Sequence, residues 1–147
     1  MNKDSIKKIN NKIYKAVFAL NLPVGHYAIT SSGPMGIRGL RIINDADLIV
    51  DNELWDELSV KYPPVEEGGI TKIVLSEGLI EILGSGSFFC NYDEEDPTVD
   101  EQISTAEVID GLSFVRLEHI RYFKERLGRE KDKRDIELIN KELNQKQ

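Results

Sequence analysis

The chain has 147 residues, 40% of them apolar and 31% charged, with a formal net charge of −7, which suits one globular domain burying about two-thirds of its unfolded surface. No apolar run approaches the ~20 residues of a membrane helix, the polar start Met1–Ser5 leads into an amphipathic pattern rather than a leader, and the acidic balance argues against a broad nucleic-acid surface. Cys90 is the single cysteine, so an internal disulfide and a cysteine-built zinc site are excluded, His26 and His119 are too few for a histidine metal site, and a reducing cytoplasm is the natural setting.

Residues 4–20 carry Ile6, Ile9, Ile13, Val17 and Leu20 at three- and four-residue spacing, which predicts an amphipathic helix packed by one face on a sheet. Asp4 or Ser5 can cap it, and Asn21-Leu22-Pro23 stops it. His26–Thr30 is a strand candidate that delivers the chain to Ser31-Ser32-Gly33, small residues opening a helix at Pro34. Free backbone N–H groups at such a turn suit a phosphate, although the same residues make an ordinary cap. Arg38 and Arg41 are neighbours if this helix continues, so that one faces phosphates or both pair with local carboxylates.

Asp45–Val50 is predicted to be the central strand. Asp45 and Asp47 then share a face, about 7 Å apart, while Ala46 and Leu48 point into the core. Carboxylates at a strand start cost free energy unless something cationic meets them, and hard oxygen ligands suit Mg2+ (or Mn2+). Asp51 or Asn52 caps a helix over residues 53–61, with Leu54 and Leu58 inward and Trp55 read as core rather than as a platform for a base. Tyr62-Pro63-Pro64 ends it, Glu66–Gly69 make a turn, and residues 70–75 and 79–83 form a strand pair joined at Ser76-Glu77-Gly78. Glu81 stands alone among Leu79, Ile80, Ile82 and Leu83, either at an edge in solvent or with a partner.

Residues 84–87 read as flexible, 88–92 as a segment folding back on the body or lining a pocket, and the acidic run 93–97 as a solvated loop or a wall of a site. Residues 101–107 predict a short helix, 108–115 a hairpin turning at Asp110-Gly111, 117–127 a helix ended by Gly128, and 130–143 a last helix with Ile136, Ile139 and Leu143 inward. The last two helices form a hairpin that can bring Lys124 near Asp132 or Asp135, as surface ion pairs or as a phosphate-binding lysine held by an aspartate. The chain is therefore expected to be a single domain over 1–147, of mixed α/β (α+β) class, with a mixed sheet flanked by helices and a C-terminal helical hairpin.

The serine-glycine loop, short helix and Asp-x-Asp strand resemble the nucleotidyltransferase superfamily, the fold of kanamycin-type antibiotic nucleotidyltransferases and DNA polymerase beta. More narrowly, with Lys124, Gly128-Arg129, Lys131-Asp132 and Asp135 similar to a C-terminal pattern, residues 22–143 resemble small bacterial nucleotidyltransferase-like proteins and AbiEii-type toxins. The family loop begins Gly-Ser, whereas Ser31 stands first here, leaving Gly33 for the close approach to phosphate. The resemblance implies that Asp45, Asp47 and Glu81 form the catalytic metal site, Glu81 standing where most relatives carry an aspartate. It also implies that Ser31, Ser32, Gly33, Arg38, Arg41, Lys124, Asp132 and Asp135 serve the nucleotide phosphates. The implied reaction moves a nucleoside monophosphate from a nucleoside triphosphate to an unidentified hydroxyl acceptor, with Glu81 as candidate base. The competing readings are an inactive binding or regulatory module, as in a toxin–antitoxin or defence pair, and a toxin acting on tRNA, which the acidic charge disfavours.

Overall fold

The computed structural model describes residues 1–85 and 94–145. Helix α1 spans Lys3–Phe18 and is capped by Asn2 rather than by Asp4 or Ser5, its side chain accepting from the Ser5 N–H at 2.8 Å. Its buried face is Asn10, Ile13, Tyr14 and Val17, and Ile9, expected inward, is exposed. The stripe is rotated because Asn10 is claimed by backbone: its amide donates to the carbonyls of Gly36 and Arg41, and its oxygen accepts from the Ile43 N–H.

Strand β1 (Tyr27–Thr30) is followed by a single helical turn, α2 (Gly33–Gly36), and by β2 (Ala46–Val50). Helix α3 (Asn52–Lys61) is capped by Asp51, which accepts from the Leu54 N–H at 2.9 Å. Strand β3 (Val65–Glu67) occupies part of the stretch read as a turn; it pairs with β4 (Ile70–Leu75), leaving the turn to Gly68-Gly69. A 3-10 turn at Ser76–Gly78 leads to β5 (Ile80–Leu83). Helix α4 (Val99–Ser104) begins earlier than expected because Thr98 caps it, and Glu107 belongs instead to β6 (Glu107–Ile109), which turns at Asp110-Gly111 into β7 (Leu112–Phe114). Asp110 and Gly111 both have positive φ, the type I′ geometry that suits a two-residue hairpin. Helix α5 (Leu117–Leu127) ends at Gly128, whose φ of 60° is the left-handed cap glycine allows, and α6 (Glu130–Gln145) completes the helical pair.

The strands form a mixed sheet in the order β3-β4-β5-β2-β1-β7-β6. β2 runs parallel to β5 and antiparallel to β1, and β1 runs parallel to β7. Strand alternation divides the core into two clusters. Ile29, Leu48, Val50, Ile82 and Phe114 pack with α1 and α3 on one face. Ala28, Ile49 and Val115 pack with α4, α5 and α6 on the other. Thr30, Asp47 and Glu81 continue the second set of alternate positions, so they lie on the face that carries α5 and α6.

No helix among the described residues is long and apolar enough to cross a membrane. The expectation for residues 88–92, and parts of those for 84–87 and 93–97, lie outside the described residues. Within the acidic run, Asp96 is buried rather than solvated. It accepts from the Tyr122 hydroxyl and from Arg126, each at 2.7 Å, and so fastens that loop to α5.

Candidate functional site

The register brings two of the predicted carboxylates, Asp47 and Glu81, side by side. Thr30 pairs with Asp47 across β1 and β2, and Asp47 pairs with Glu81 across β2 and β5, so the three stand in a row on one face. Asp45 lies just before β2 and is exposed. Burial, foremost, and then the Asp45 and Glu81 charges raise the Asp47 carboxyl, against the facing Ser31 hydroxyl and the Lys72 ammonium, from 3.8 to a net of about 6. A carboxylate in that position is held under repulsion.

Asp47 also forms part of the wall of a cavity of about 360 Å3 between the β1–β2 end of the sheet and the helical pair. Its other polar walls are Thr30, Ser31, Lys124 and Arg129, and its apolar walls are Ile120, Phe123 and Leu127. The α5 contributors recur at three- and four-residue spacing, hence one helix face. Behind that wall Lys124 reaches Asp135 at 3.0 Å and Asp132 at 3.7 Å. Arg129 forms a fork on Asp132 at 2.7 and 3.0 Å, and Arg41 meets Asp135 at 2.7 Å. Burial pushes the Asp132 carboxyl up, but the Arg129 guanidinium and the Lys124 ammonium outweigh it and leave the group below its usual range.

Several expected phosphate ligands take other places. Ser31 lines the cavity, and its φ of 57° is the left-handed conformation for which glycine is the unstrained choice. Ser32 is half-buried at the start of α2, its carbonyl accepting from the Met35 and Gly36 N–H groups, and its side chain makes no cap bond. Gly33 is buried and does not reach the cavity. Its missing side chain is demanded from inside, because a Cβ would collide with Ile29, and its carbonyl accepts from the Tyr14 hydroxyl at 2.7 Å. Arg38 and Arg41 do not share a helix face, because α2 stops at Gly36 and Gly39 turns the chain at φ 75°. Arg38 borders a different cavity, and Arg41, Asp132 and Asp135 do not line the first one; the two aspartates hold Lys124 and Arg129, and Arg41 pairs with Asp135.

Two residues at the site were not singled out from sequence. Arg129 is one; its place in the Lys–Gly–Arg pattern was the signal. Lys72 is the other: its ammonium lies 2.6 Å from Glu81 and 3.4 Å from Glu67. It stands in β4 beside β5, and nothing local marks it. The donor set Asp45, Asp47 and Glu81 fits a hard divalent cation in oxygen type and charge, and mutual repulsion at Asp47 is what such an ion relieves. Among the described residues, however, no three acidic, histidine or cysteine side chains stand grouped as a metal site, and Glu81 is engaged by Lys72. A cation has to win Glu81 from that lysine.

Compared with protein-family models, curated proteins and solved structures, the chain matches none of them.

Proposed function

We propose that this protein is a metal-dependent nucleotidyltransferase that transfers a nucleoside monophosphate from a nucleoside triphosphate to a hydroxyl acceptor. The observation that carries the reading is the double membership of Asp47: it stands in a row of carboxylates and also walls a cavity whose other polar groups include a lysine and an arginine. Volumes of about 300 Å3 and upward are usual for small-molecule sites. Lys124 and Arg129 draw the phosphates inward, and Asp132, Asp135 and Arg41 fix their side chains. Ile120, Phe123 and Leu127 offer an apolar surface to the nucleoside.

Mg2+ or Mn2+ held by Asp45, Asp47 and Glu81 would neutralise charge on the phosphates. The acceptor oxygen forms a bond to the alpha phosphorus, the bond to the bridging oxygen of pyrophosphate breaks, and the acceptor proton passes to Glu81. For that, Glu81 has to part from Lys72, so Lys72 holds the base in check until the site fills.

Titration calorimetry with Mg2+ and each nucleoside triphosphate, then transfer of alpha-labelled nucleotide to small molecules, protein and RNA, tests the reading. Metal-dependent binding that Asp45→Asn combined with Asp47→Asn abolishes is the expected result. Binding that needs no metal and survives the double substitution favours the alternative, an inactive module of the same architecture. The Lys72–Glu81 pair and the burial of Gly33 are the observations on that side.

A further inference from the structure

Arg38 leads to a second cavity, of about 320 Å3, on the other side of α5's N-terminal half. Three guanidinium groups line it, from Arg38, Arg116 and Arg121, together with the carboxylates of Glu107 and Glu118. The Arg38 side chain is only 7% exposed. One of its terminal nitrogens donates to the Pro34 carbonyl at 2.6 Å and the other to Glu107 at 3.3 Å, but Nε is buried with no hydrogen-bond partner. That nitrogen is closed to solvent, so Arg38 offers the cavity its charge rather than a free donor.

The lining carries one more guanidinium than carboxylate, and the acids are spread unevenly, mostly at the exposed rim. Glu107 is shared, lying 3.3 Å from Arg38 and 3.9 Å from Arg116, and Glu118 is exposed at the rim. Arg116 donates from Nε to the Thr105 carbonyl at 2.7 Å, and Arg121 donates to Asn140 at 2.8 Å, with Glu125 3.8 Å from its Nε. Both keep further N–H groups than these contacts use. Planar guanidinium groups with spare donors match the oxygens of a tetrahedral dianion, which can take two parallel hydrogen bonds from each.

We infer that this cavity is a second anion site, separate from the carboxylate row, that binds a phosphate group. Arg38 forms its floor and Arg116 and Arg121 its rim. The site also touches the candidate centre through the backbone, because the Pro34 carbonyl that Arg38 holds belongs to the turn following Ser31. The inference does not depend on nucleotidyl transfer, and its test reads binding alone.

The probes are inorganic phosphate and a nucleoside 5′-monophosphate, titrated without divalent metal into wild type, Arg116→Gln, Arg121→Gln and Lys124→Met, at matched ionic strength in chloride. Each rim substitution is expected to weaken phosphate binding about tenfold, the scale of one charge-assisted hydrogen bond, and more than Lys124→Met does, which removes only what the first cavity takes. Arg38→Gln removes a buried group and can unfold the chain, so the rim variants carry the decision. Equal affinity of both probes identifies the phosphate as the whole determinant, and tighter binding of the monophosphate extends the site to a phosphomonoester. Loss of binding in Lys124→Met alone, or no saturable binding at millimolar phosphate, overturns the inference.

Discussion

Asp132 and Asp135 stand behind one wall of the cavity, and Asp47, with Asp45 beside it, forms part of the opposite wall; the four carry the same charge and are treated differently. Asp132 and Asp135 are buried, yet Lys124, Arg41 and Arg129 surround them and hold Asp132 below its usual range. Asp47 is driven up to about 6 by burial first and then by the charges of its two acidic neighbours. Where a charge only has to hold a helix pair together, the chain supplies its partners in full. At Asp47 only Lys72, which is engaged with Glu81, and the Ser31 hydroxyl oppose burial and the two acids, and the carboxyl stays raised.

The largest effect expected from this contrast is on chemistry. Asp47→Asn keeps shape but removes the charge, and transfer of labelled nucleotide should fall at least about a hundredfold, as when an electrostatic group at a reacting centre is lost. Residual activity within tenfold of wild type would remove Asp47 from the centre. Next in size is the opposite wall. Asp135→Asn strips Lys124 and Arg41 of a shared partner, and denaturant unfolding should report a loss of about 2–4 kcal/mol. The lower part of that range applies because 37% of the Arg41 side chain remains in water. An unchanged midpoint would reduce the cluster to a surface ornament.

The same Asp47→Asn variant should be more stable than wild type at pH 8 in chelator, by about 1–3 kcal/mol. The native carboxyl titrates near 6 and the unfolded one at 3.8, so between those values the native state binds more protons. Wild-type stability therefore falls as pH rises through that window, by up to about 3 kcal/mol for two pH units of difference. The variant lacks this slope, and the two stability curves should converge below pH 4. Parallel curves would mean that Asp47 is not strained.

Sequence pattern revealed one wall better than the other. The strands of Asp47 and Glu81 were legible because period-two alternation and the apolar runs around them left little choice, whereas the placing of Glu81 beside Asp47 came from the family resemblance alone. The helical hairpin was legible for the same reason at period 3.6; it put Lys124 near Asp132 or Asp135, and the structure has it near both. Arg38 was misplaced because its spacing from Arg41 implies a shared face only while the helix lasts, and α2 is one turn long. Strand β3 was invisible because Val65, Glu66 and Glu67 are all exposed at the sheet edge, so burial imposes no alternation. Asn10 and Lys72 depend on backbone and side chains brought from other elements, and no local window contains those partners.

Ser31 gives the smallest expected effect and the sharpest view of the strain. With φ at 57° the serine costs about 1 kcal/mol more than glycine in the folded state. Glycine gives part of that back through its greater freedom in the unfolded chain. Ser31→Gly also removes the hydroxyl that faces Asp47 and lowers its pKa. That donor matters most while the carboxylate is charged, so its loss offsets the relief of strain at pH 8 and less so at pH 5. The variant should accordingly be near wild type in stability at pH 8 and about 0.5–1 kcal/mol more stable at pH 5, with the Asp47 titration moved upward. A larger gain at pH 8 than at pH 5 would mean that the hydroxyl does not act on Asp47, and that Ser31 is strained for a reason outside the carboxylate row.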